Sequence, residues 1–148
     1  MSYLDVITLQ RAKDYLRVDQ ANTDDDLEIE SMIKGALRYI ERRTNQILYP
    51  REETYNGACQ VKVYDYPVNS IVTIPIPFVA YYSTYAVYPD VKEVTLNVGY
   101  ALDDVPDDLI QVALQMIKVW YFESEKQVNS TLIPESVKEV VDLYRRFL

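Results

Sequence analysis

Histidine is absent from the 148 residues, and with it goes the commonest general base near neutral pH and a frequent metal ligand. Glycine is almost as scarce. With Gly35, Gly57 and Gly99 alone, neither a phosphate-cradling loop nor the sharp turn that presents a nucleophilic serine can be written. A single cysteine, Cys59, excludes an internal disulfide framework and fits a reducing compartment. Without a histidine to activate it, Cys59 reads as a small strand residue. No apolar run reaches the length of a membrane span. The start, MSYLDVITLQRAKDYL, lacks a basic stretch followed by an apolar block, so no secretory signal is expected. Positive charge is also short: the net charge is −8, and acids outnumber bases in each of the segments 1–46, 47–102 and 103–148. The electrostatic footprint of a nucleic-acid grip is therefore missing.

What is present suits one soluble domain, 1–148, with apolar content of 49% and enough chain to bury a core. The most apolar stretch is VPDDLIQVALQMIKVWYFE, Val105 to Glu123. Pro106 fits a first helical position, and Asp107 and Asp108 fit the first turn, where negative charge suits the helix dipole. Gln111, Gln115 and Lys118 form one narrow polar stripe on an otherwise apolar helix, which must be covered on several sides.

Earlier in the chain, Thr8 caps a predicted helix over Leu9–Val18. After the polar break DQANTDDD, a longer helix is expected over about Asp25–Gln46, burying Ile29, Ile33, Ala36, Leu37, Ile40 and Thr44. Composition shifts at Ile47. From there to Ala101 lie nine of the fourteen tyrosines and five of the seven prolines. Arg51–Tyr55, Gln60–Tyr66, Ser70–Ile76 and Glu93–Tyr100 read as short strands, with Asn56-Gly57 as a hairpin signal. A final helix, PESVKEVVDLYRRFL, would bury Val137, Val140, Val141, Tyr144 and Leu148, with Lys138, Asp142 and Arg146 as a charged ladder. The expected fold is α+β, mainly α. A bundle of about four helices occupies 1–46 and 103–148, and a β-hairpin or small antiparallel sheet is inserted over 47–102.

Candidate sites each carry a plain reading as well. A calcium loop counted from Asn22 fails where glycine and the final glutamate are required, at Leu27 and Ile33. Asp103, Asp104, Asp107 and Asp108 are more simply caps and first-turn acids than a metal site or a carboxylate-dependent hydrolase centre. Neither a cofactor nor enzymatic activity is expected. Lys34, Arg38, Arg42 and Arg43 could face DNA phosphates, but with Glu30 and Glu41 in helical reach a solvated or intersubunit face fits better. The 24 residues between Asp65 and Asp90 carry no formal charge. That stretch is either a hairpin packed on the protein's own helices or a contact loop led by Tyr81, Tyr82, Tyr85 and Tyr88, since uncharged aromatic surface suits interface cores.

The order of segments is informative. LQRAKDYLRVDQANTDDDLEIESMIKGALRYIERRTNQIL gives a short helix, an acidic break and a long helix; YPVNSIVTI enters a strand through Pro-Val; VPDDLIQVALQMIKVWYFESE and IPESVKEVVDLYRRFL follow. Together they resemble the head–tail connector (adaptor) family of tailed double-stranded-DNA bacteriophages, also grouped as DNA-packaging proteins. The resemblance covers nearly the whole chain; the tyrosine-rich Phe78–Tyr88 departs from it. It implies a structural role. Family members form a closed ring of about a dozen copies with head-to-tail contacts. The ring sits at the virion head–tail junction, beneath the portal protein and above a tail or head-closure protein. DNA passes through it without specific binding, and assembly takes place in the host cytoplasm. On that basis the long and central helices would build the ring wall. The tyrosines, Lys34, Arg38 and Arg42, and the C-terminal Arg145, Arg146, Phe147 and Leu148 would meet neighbours or the portal. The alternative is another phage morphogenesis or tail-completion module that forms no ring.

Overall fold

The computed structural model describes residues 1–72, 79–82, 85–124 and 133–145. Its elements run α1 (Tyr3–Val6), α2 (Leu9–Leu16), α3 (Asp26–Thr44), β1 (Arg51–Asn56), β2 (Gln60–Val63), β3 (Val68–Ile71), β4 (Ala80–Tyr81), β5 (Ala86–Pro89), β6 (Glu93–Val98), a 3₁₀ turn (Leu102–Asp104), α4 (Asp107–Ser124) and α5 (Glu135–Tyr144). Among the described residues the fold is α+β, with five helices where about four were expected, and two small antiparallel sheets in place of one inserted hairpin or sheet.

The helices start and stop for local reasons. Thr8 caps α2 by accepting the Arg11 N–H, and Arg17 ends it in the left-handed conformation, φ 61°. Asn45, φ 55°, ends α3 in the same way, two residues before the predicted limit. Asn tolerates that region at little cost. The short α1 was not expected from periodicity. It is held by a capping box, in which the Asp5 carboxylate takes the Ser2 N–H at 2.6 Å.

α4 presents Gln111, Gln115 and Lys118 to solvent and buries Leu109, Ile110, Val112, Ala113, Leu114, Met116, Ile117 and Tyr121. It runs antiparallel to α3. At one end the Tyr121 hydroxyl donates to Asp25, next to the start of α3, at 2.8 Å. At the other, Gln46 donates to the Tyr144 carbonyl at 2.8 Å, and the Tyr144 hydroxyl donates to Asp108, in the first turn of α4, at 3.0 Å. α5 closes the bundle with Val137 and Val141. Of the ladder expected along α5, no Lys138–Asp142 pair is formed among the described residues. Lys138 pairs with Glu135 at 2.9 Å, Asp142 pairs across to Arg43 of α3 at 3.2 Å, and Leu143 is exposed. Arg146 and Leu148 lie outside the described residues.

Asn56-Gly57 is not a hairpin reversal. β1 pairs with β6, from Arg51↔Val98 to Asn56↔Glu93, and β2 pairs with β5, from Gln60↔Pro89 to Val63↔Ala86. The register is the same on both sides of residues 57–59, so one long ribbon bends there and contributes to two sheets, β1-β6-β3 and β2-β5-β4. The Gly57 N–H donates to the Lys92 carbonyl at 2.8 Å, holding the two strands together through the bend. A Cβ on Gly57 would lie 1.9 Å from the Gln60 carbonyl oxygen, so the bend needs glycine. Of the strand predicted over Ser70–Ile76, the sheet holds Val68–Ile71, and 73–78 lie outside the described residues.

Two apolar clusters result. One gathers the helices; the other holds Ile47, Val61, Val63, Ala86, Tyr88, Val94, Leu96 and Val98 between the two sheets. Ile47 belongs to the second cluster, whereas its neighbour Leu48 belongs to the first. Gly99, at φ 106°, brings the end of β6 against Tyr49, where a Cβ would sit 2.1 Å from the carbonyl oxygen.

Candidate assembly interface

The junction of helices and sheets is built around one carboxylate. Glu41, on α3, is 6% exposed. Its Oε1 accepts the Leu48 N–H at 2.8 Å and Arg51 Nη1 at 3.0 Å. Its Oε2 accepts the Tyr3 hydroxyl at 2.6 Å and Arg51 Nη2 at 3.2 Å. α1, α3, the residue after Ile47 and β1 therefore converge on a single side chain with both oxygens satisfied. Nothing in the sequence marks Glu41 apart from neighbouring acids, because its partners lie seven, ten and thirty-eight residues away.

Beside this junction lies an open polar cleft of about 400 Å³ lined by Tyr3, Arg38, Glu41, Arg42, Asn45, Ile47, Arg51 and Asp65. Arg38 and Arg42 are exposed on α3 and, among the described residues, form no ion pair. The Arg38 guanidinium stands 6.0 Å from the centre of the Tyr3 ring. Lys34, one turn earlier, pairs loosely with Glu30 at 3.7 Å. On the cleft's far side, Asp65 accepts the Tyr55 hydroxyl at 2.7 Å. Burial raises the Asp65 carboxyl above the usual carboxylate value, although that hydrogen bond pulls the other way. Burial, and next the Asp65 hydrogen bond, raise the Tyr55 hydroxyl.

The tyrosine-rich region divides in two. Tyr81 is 74% exposed and Tyr82 55% exposed. Tyr82 stacks on Tyr85 at 4.7 Å between ring centres, and Tyr85 tilts against Tyr64 at 5.3 Å. With Tyr66 and Val68 they line a groove of about 180 Å³ in which Asp65 is the one charged wall residue among the described residues. Tyr88 differs. It is fully buried in the sheet cluster, its hydroxyl has no hydrogen-bond partner among the described residues, and it has no surface to offer a neighbour. Strand alternation sets its direction: Tyr88, expected at a contact surface, falls opposite Val61, an inward position on the pleat. Tyr88 thus packs among the strands and not on the helices, while Tyr81 and Tyr82 lie at the surface.

Of the other candidate residues, Arg145 is exposed just beyond α5, while Arg146, Phe147 and Leu148 lie outside the described residues. Asp103, Asp104, Asp107 and Asp108 are exposed around the 3₁₀ turn and the start of α4. Among the described residues, no group of three or more acidic or cysteine side chains comes together as a metal site, and no helix is long and apolar enough to cross a membrane. The position considered as a calcium loop is occupied from within. The Lys13 ammonium, 2% exposed, donates to the carbonyls of Gln20 and Asn22 and to Asp26 Oδ1 at 2.7 Å.

No protein-family model and no curated protein matches the chain. Solved structures do. A chain from the neck of an empty GTA particle, computed with C6 symmetry, superposes with a TM-score of 0.70 at 16% identity, over 97% of this chain and 91% of that one. A chain from the virion of a native gene transfer agent particle superposes with a TM-score of 0.75 at 14% identity, over 100% of this chain and 93% of that one. At these identities the likeness is one of fold.

Proposed function

We propose that the chain is a structural component of the head–tail junction of a phage-like particle, one subunit of a ring through which DNA passes. The observation that carries this reading is the length of the structural likeness. Nearly every residue of the chain, sheets included, has a counterpart in a chain from a GTA particle neck. The C6 symmetry of that neck accommodates rings of six or of twelve. We favour about a dozen copies, closed by head-to-tail contacts between neighbours.

The chemistry of the surface supports the same reading. An acidic chain, net charge −8, repels phosphate, which suits a conduit that lets the polymer slide. Exposed Tyr81 and Tyr82 offer large contact area with few rotamers to freeze. In this reading the protein works by shape: it seats beneath a portal protein, receives a tail or head-closure protein on its other face, and joins the particle in the host cytoplasm.

The test is electron microscopy of the purified protein, alone and mixed with its cognate portal. Rings, or portal particles carrying an added collar, are expected. A chain that stays monomeric in both samples while remaining part of purified particles would point instead to a morphogenesis or tail-completion module of the same fold. Absence from particles would overturn the assignment.

A further inference from the structure

α3 has two unlike flanks. One faces α5, where Arg43 is paired with Asp142. The other carries Arg38 and Arg42 beside α1, opening into the polar cleft. The acidic turn lies with α5, because the Tyr144 hydroxyl ties Asp108 to that helix. Asp103, Asp104 and Asp107 are exposed there and, like Arg38 and Arg42, form no ion pair among the described residues. The bonds Gln46–Tyr144 and Tyr144–Asp108 place the end of α3 and the start of α4 at the same end of the bundle. Arg42, near the end of α3, and Asp107, at the start of α4, are therefore at the same end of the bundle, Arg42 on the flank beside α1 and Asp107 with the acidic turn tied to α5.

Resting on the ring reading above, we propose that the Arg38–Arg42 flank of one copy receives the Asp103–Asp107 turn of the next. In this arrangement the ring axis runs along α3, so rotation keeps each residue's height and carries the acidic turn of one copy round to the arginines of its neighbour. The occupant is a second copy of this chain, argued from charge. Glu41 is already matched by Arg51, and Asp65 by the Tyr55 hydroxyl. The two outer arginines are left to attract acid from outside. A subunit of net charge −8 repels its own kind, and a contact that sets the unpaired cations against the densest acids is where that repulsion is locally reversed.

The test is a charge swap read by counting subunits per ring, alone or on portal, by electron microscopy. Arg38→Glu with Arg42→Glu, and separately Asp104→Lys with Asp107→Lys, should each lower the ring fraction at least about tenfold. The chain carrying all four changes should recover most of it, and circular dichroism of each variant reports folding. If a reversed variant fails to fold, Arg38→Gln with Arg42→Gln is used instead; its rings should come apart at lower salt than those of the wild type. Recovery by the fourfold variant, or the lowered salt threshold, supports this contact. Wild-type rings matched by equally abundant rings of the reversed or glutamine variants would overturn the contact and leave the ring reading standing. No ring from the wild type, with or without portal, would overturn both.

Discussion

Arg51 and Glu41 meet through two hydrogen bonds, Nη1 to Oε1 at 3.0 Å and Nη2 to Oε2 at 3.2 Å, on a carboxylate that also takes the Tyr3 hydroxyl and the Leu48 N–H. A planar guanidinium matches a carboxylate in this way, whereas an ammonium does not. Removing one partner strands a nearly buried charge or leaves its donors empty. Glu41→Ala should lower stability by about 3 kcal/mol, and Arg51→Lys should recover only part of what Arg51→Ala loses. Urea unfolding monitored at Trp120 measures both.

Lys13→Met keeps most of the side-chain volume and removes the ammonium that gathers Gln20, Asn22 and Asp26. Methionine has no donor to offer the two carbonyls and the carboxylate so left. A loss of about 2 kcal/mol is expected, together with faster amide exchange over residues 19–25 than over α4. Equal protection of that loop in the variant would show that the lysine does not hold it.

Stability should depend on pH through Asp65. Burial raises its carboxyl, so the folded protein still holds that proton where the unfolded chain has released it. Its contribution is full below 3.8, the ordinary value, and is lost as pH rises through the folded one. Asp65→Asn keeps an acceptor for the Tyr55 hydroxyl and removes this loss. The variant should be the more stable protein at pH 7, and the two should converge as the pH falls below that ordinary value. Thermal melts across the acid range provide the comparison. Tyr55 shifts in the same direction from 10.0, so its contribution is lost above that pH, and Tyr55→Phe should flatten the alkaline end of the profile.

Tyr81→Ala combined with Tyr82→Ala removes exposed rings and should weaken assembly while leaving helical content unchanged. Tyr88→Phe is the contrasting variant. It deletes a buried hydroxyl with no partner, so assembly should be untouched and stability unchanged or raised by about 1 kcal/mol. Particle incorporation and melting temperature, measured side by side, separate the two tyrosine roles.

The helices α2 to α5 were legible because their signals are local, whereas the four-residue α1 is too short to show a period. The Gln111, Gln115 and Lys118 stripe is exposed as its spacing requires, and Thr8 caps α2 as its position suggests. β1, β2, β3 and β6 were legible as strands, β4 and β5 were not singled out, and none of the pairings was legible. Asn56-Gly57 reports a change of direction but not what the strands beyond it will meet, and the partner of β1 begins at Glu93. Glu41 and Lys13 look like ordinary surface charges on a helix until distant segments close over them. Tyr88 resembles its neighbours in composition, and its inward direction follows from a register that only the paired ribbon fixes.

Ile47 and Leu48 are joined by one peptide bond yet anchor in different interiors, the first among the sheets and the second among the helices. No slack separates the two halves of the molecule. A twist applied to the strands reaches the bundle within a single residue, so the subunit should answer load as one stiff body.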